Sequence, residues 1–151
     1  MDIEKVVTEI LKIRQELAAG NTHGEDLSEK ALQLAAYKAT LGGYVANVRF
    51  QRDDLASKLD HLRAKQYLKH RNNLSIKDAE QNAKIDCQEM QLELNQASYN
   101  FERLRNLHND SHDMLDSIKS RLIHLLQERG ETMQPQGSSH DTIRPAAQRG
   151  T

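Results

Sequence analysis

From Ala83 to Leu125 a single seam recurs in steps of four and three residues: Ala83, Cys87, Met90, Leu94, Ala97, Phe101, Leu104, His108, Ser111, Leu115, Ile118, Leu122 and Leu125. The spacing is heptad spacing without a slip, and no Pro or Gly interrupts it. Such a repeat keeps one narrow, mostly apolar stripe of a helix pointed at a partner helix. At about 1.5 Å per residue the stripe extends about 60 Å. A helix of that length cannot cover its own stripe, so other parts of the chain, or a second copy, must do so.

The covering element lies upstream. Leu27, Leu34, Leu41, Val48, Leu55 and Leu62 recur at intervals of seven, with Tyr37, Val45 and Leu59 between them. They predict a helix opened by Asp26 or Ser28, where Asp26 and Glu29 have capping-box spacing, and running to about Arg71. Asn72-Asn73 ends it, and Ser75 restarts a helix as N-cap with Asp78 at the third position. So short a connection folds the two long helices antiparallel. Gly42-Gly43 falls inside the first of them, where each glycine costs about 1 kcal/mol relative to Ala. The pair reads as a kink or a close helix approach, with a hinge as the alternative.

At the N-terminus, Ile3, Val6, Ile10, Ile13 and Leu17, widened by Val7 and Leu11, form a further stripe of about four turns that Gly20 stops. A helix so short is marginal alone and must dock. The expected architecture is therefore all-α. It comprises an amphipathic helix over 1–19, a long coiled-coil-like hairpin over 26–130 bending near 72–75, and a disordered tail over 131–151 that carries both prolines.

Composition agrees with thin helical packing: 37% of residues are hydrophobic, only 4% are aromatic and Trp is absent. The single Cys87 occupies a seam position and reads as a small buried hydrophobe. No apolar run approaches the ~20 residues needed to span a membrane, and Met-Asp-Ile-Glu does not read as a secretion signal, which points to the cytoplasm. The net charge of −1 hides strong segregation. Residues 1–29 hold 3 basic and 7 acidic side chains, residues 49–79 hold 8 and 4, and residues 80–116 hold 3 and 8. Segregated charge steers an anionic partner to one region of a nearly neutral molecule.

That basic region supplies the leading functional candidates: Arg49, Arg52, Lys58, Arg63, Lys65, Tyr67, Lys69, Arg71 and Lys77, with His61 and His70 among them. Clustered Lys and Arg bind nucleic-acid backbones through counterion release, and an aromatic ring lets single-stranded bases stack. A solvated charged face is the plain alternative, and Asp53, Asp54 and Asp60 dilute the cluster. His108, His112 and Asp116 share a helix face suited to a metal, but one helix makes a poor site, and a polar layer in the seam is the preferred reading. Polar seam positions fix register and oligomer state, so His108, Ser111, Leu115, Ile118 and Leu122 are candidates for contact between copies. The sequence carries no phosphate-binding Gly-rich loop and no nucleophile elbow, so the chain reads as non-enzymatic, without metal or other cofactors.

Two stretches resemble the UvsY recombination-mediator family of T4-like bacteriophages. Leu62-Arg63-Ala64-Lys65 is similar to that family's Leu-basic-Ala-basic motif, and Leu115-Asp116-Ser117-Ile118-Lys119-Ser120-Arg121 to its Leu-Asp-x-Ile-Lys-Ser-Arg stretch. The resemblance covers residues 30–129 at most. It implies a ring-forming, single-stranded-DNA-binding accessory protein of recombination or replication, acting in the host cytoplasm with a recombinase or single-strand-binding protein as partner. Arg63 and Lys65 would then contact the DNA backbone, and the 115–125 helix would serve assembly. The Gly-rich, tyrosine-bearing segment that follows the basic motif in that family is replaced here by the Asn-Asn-Leu-Ser turn. The alternative function is a protein–protein interaction element, such as a scaffold, chaperone, stalk or small inhibitor, that binds no nucleic acid.

Overall fold

The computed structural model describes residues 2–20, 23–128 and 130, and all of its regular structure is helical. Four helices follow in order: α1 (Ile3–Ala18), α2 (Gly24–Arg71), α3 (Ile76–Asp86) and α4 (Gln88–Glu128). α2 runs antiparallel to α3 and α4, and its 48 residues make a rod of about 70 Å. The seams pack as their spacing requires. Not one of the seam residues from Ala83 to Leu125 is exposed, and Leu27, Leu34, Leu41 and Leu59 of α2 are buried. The tail expected over 131–151 lies outside the described residues.

α1 lies across α2 and α4 at the end away from the bend. Its Val6, Ile10, Ile13 and Leu17 join Leu27, Leu34, Leu41 and Ile118 in one core, with Leu104, Leu115, Leu122 and Leu125 packed against it. Full burial of each such side chain stabilises by about 1.5–3 kcal/mol, which is what a four-turn helix needs in order to stay folded. α1 ends as its sequence predicts, with Gly20 at φ 76°. The Arg121 guanidinium then reaches across from α4 and donates to the Leu17 carbonyl at 3.4 Å, setting a cation at the helix C-terminus where the dipole favours one. The molecule is thus a three-helix bundle at one end and a bare two-helix hairpin at the other.

Two local expectations are corrected, and of the readings of Gly42-Gly43 the close helix approach holds at Gly42. α2 opens at Gly24 with His23 as N-cap, without a side-chain capping bond. Asp26 falls in the first turn, where its charge suits the dipole, and the Ser28 hydroxyl donates back to the Gly24 carbonyl at 3.2 Å. Gly42-Gly43 does not break α2, which stays helical through both. Gly42 instead faces His108, with a Cβ there falling 3.4 Å from His108 Nε2, while a Cβ at Gly43 would meet open space. The third expected helix is split at Cys87 (φ −101°, ψ 6°), whose N–H bonds Lys84 O at 3.3 Å. This tighter turn is a cause of kinking that needs neither Pro nor Gly.

The bend follows its predicted chemistry. Ser75 Oγ accepts the Asp78 N–H at 3.2 Å and donates to Asp78 Oδ2 at 2.6 Å. His70 Nε2 meets Asp86 Oδ2 at 2.8 Å, tying the last turn of α2 to α3.

Candidate nucleic-acid interface

The basic residues of α2 divide by what lies beside them. Arg52 recurs seven residues after Val45 and seven before Leu59, so it is itself a seam position. Its guanidinium carbon sits 4.3 Å from the centroid of the Phe101 ring, and its Nε donates to Asp53 Oδ1 at 2.9 Å. Arg63 is drawn inward as well, donating to the Gln91 side chain of α4. Arg49 and Lys58 are exposed but lie beside carboxylates, Arg49 at 3.8 Å from Asp53 and Lys58 at 2.7 Å from Asp54. Exposed i,i+4 pairs of this kind hold their ions weakly, at about 0.3–0.5 kcal/mol.

Closer to the bend the pattern changes. Lys65, Lys69 and Lys77 are exposed and have no carboxylate within ion-pair distance among the described residues. Arg71 is exposed and donates only to the Leu74 carbonyl, at 3.2 Å, which leaves its charge uncompensated. Lys84 belongs to the same set although the sequence reading passed over it. It lies seven residues after Lys77, the one signal that could have found it. Asp86 lies against His70, while Asp78 accepts from the neutral Ser75 hydroxyl and keeps its charge. Tyr67 is half-buried and lines a cleft of about 300 Å³ between α2 and α3 with Arg63, Ala64, Glu80, Ala83 and Lys84. The bend therefore offers five exposed cations, of which Lys84 lines the Tyr67 cleft together with the Glu80 carboxylate.

Of the residues expected at contacts between copies, two are out of reach of a second copy. Ser111 and Ile118 are fully buried within the single chain, and Leu115 and Leu122 pack against the core that α1 completes. Ser111 Oγ donates to the Leu107 carbonyl at 2.7 Å, so this buried polar group is satisfied by its own helix. His108 lies against Gly42. The Leu115–Arg121 stretch thus secures α1: Leu115 and Ile118 supply its floor and Arg121 holds its last turn. The shared helix face of His108 and His112 does not converge, since His112 turns outward to Asp116 at 3.8 Å while His108 turns inward.

No helix among the described residues is long and apolar enough to cross a membrane. No family model matches the chain, and comparison with curated proteins and with solved structures gave no match.

Proposed function

We propose that the chain is a non-enzymatic, single-stranded-DNA-binding accessory protein of recombination or replication that grips the strand at the hairpin bend. The observation that carries this reading is the uncompensated charge of Lys65, Lys69, Arg71, Lys77 and Lys84 around one end of a rod whose other end holds a net-neutral α1 and the acidic first turn of α2, Glu25 and Asp26. Phosphates would meet these five side chains, releasing counterions. A base would enter the cleft at Tyr67, where stacking is worth about 1–3 kcal/mol and tolerates any sequence. The resemblance of Leu62–Lys65 to the mediator motif supports the same region, with Lys65 the better contact and Arg63 a brace between α2 and α4. Arg52 belongs to the interhelical seam and is left out of the interface.

One small patch binds weakly, so a partner that supplies several copies side by side, a recombinase filament or a single-strand-binding protein, would raise the affinity by avidity. The test is titration of the purified chain against a labelled oligothymidine at several salt concentrations. Saturable binding that weakens steeply with salt supports the assignment, and absence of binding at low salt removes it.

A further inference from the structure

The trough between α2 and α4 that receives α1 does not stop where α1 stops. From Leu104, beside the start of α1, it runs on toward the bend, floored by Val48, Leu55 and Leu62 of α2 and by Ala97 and Met90 of α4. All six are only half-buried. From Val48 to Leu62 the open stretch is about 21 Å long, room for about four helical turns.

Its charge repeats that of the covered half. There, Lys30 on the α2 wall pairs with Glu16 of α1, and Asp110 on the α4 wall meets Arg14 of α1 at 3.4 Å. In the open half the α2 wall carries Lys58, paired with Asp54 at 2.7 Å, and then His61 and Lys65, while the α4 wall carries Glu93 with Glu89 one turn earlier. Past the Lys58–Asp54 pair the α2 wall is basic again toward the bend, at Lys65, and the α4 wall is acidic, at Glu93 and Glu89. A second copy laid face to face fits this badly. Parallel copies would bring both α1 helices to the same place, and antiparallel copies would set the basic wall of α2 against itself.

We infer that the open half of the trough docks one amphipathic helix of a partner protein, built like α1. It carries an apolar stripe at three- and four-residue spacing, carboxylates on the flank facing α2 and basic side chains on the flank facing α4. This is helix-in-groove recognition on a surface the chain already uses for its own helix.

The probe is a labelled synthetic peptide of residues 2–19, added to the full chain, with amide exchange mapping where it lands. The expected result is saturable binding that protects residues 48–65 and 89–104. Leu55→Glu, at a half-buried position, and Lys65→Glu, at an exposed one whose folding is not in question, should each weaken it by about tenfold or more. A peptide carrying Arg14→Glu and Glu16→Lys should bind correspondingly worse, and Leu55→Glu should leave oligothymidine binding unchanged. Three results overturn the inference: no saturable binding, protection confined to the site of the resident α1, or a trough already protected by concentration-dependent self-association.

Discussion

The Arg52 guanidinium lies over the face of the Phe101 ring, 4.3 Å from its centroid, inside the seam that joins α2 to α4. Phe101 is only 7% exposed, so the arginine acts as its lid. A cation over an aromatic face contributes about 0.5–2 kcal/mol according to its desolvation, and the methylene stem adds packing. Arg52→Ala should therefore destabilise the chain by about 1–2 kcal/mol in urea melts. It should leave affinity for oligothymidine unchanged at temperatures where the variant is folded. A variant of unaltered stability and weakened DNA binding would move Arg52 back into the interface.

The adjacent glycines separate in the same kind of experiment. Gly43 faces open space, so Gly43→Ala should stabilise by about 0.5–1 kcal/mol through helix propensity. At Gly42 a Cβ would already touch His108, and the gain should be smaller; Gly42→Leu should destabilise by displacing the imidazole. Thermal melts of the three variants give the order directly. Equal gains at both positions would show that His108 does not pack on Gly42.

α1 is held by groups that can be removed singly. Ile118→Ala empties a fully buried position beneath it and should cost about 2–5 kcal/mol. Arg121→Ala takes the cation from the α1 C-terminus and should speed amide exchange in α1 while the hairpin keeps its protection. Uniform loosening of all helices would instead assign Arg121 a general structural role.

Acid should release the same helix. The Lys30 ammonium, hydrogen-bonded to Glu16, holds the Glu16 carboxyl below its ordinary value of 4.5. The folded pKa is thus the lower one, so the stabilisation is complete above that ordinary value and fades as pH falls through the depressed one. Protection of the α1 amides, taken relative to their intrinsic exchange rate at each pH, should fall below about pH 4.5 in the natural chain, and Glu16→Gln should remove this part of the dependence.

Much of the fold was legible because heptad spacing reports burial directly. Leu34, Leu41, Phe101 and Ile118 are buried where the repeat places them. Ser75 caps its helix because its hydroxyl and Asp78 stand three apart. The break at Cys87 was hidden because it changes one hydrogen bond and needs no special residue. The site was legible only as a stretch. Charge counts cannot tell Arg52, covered by a ring, from Lys65, open to solvent, until the partner helix is in place. Ile118 misled for a related reason: a seam does not say whether its cover comes from another copy or from α1.

The most direct measurement compares the natural chain with a Lys65→Ala, Lys69→Ala, Lys77→Ala variant in oligothymidine binding across salt. All three positions are exposed and none makes a side-chain hydrogen bond or ion pair among the described residues, so the variant should remain folded. Its affinity should fall, and the slope of log affinity against log salt should flatten by about 2, at about 0.7 per lost single-strand phosphate contact. An unchanged affinity and slope in a folded variant would contradict the account, because the bend would then not be where the strand is held.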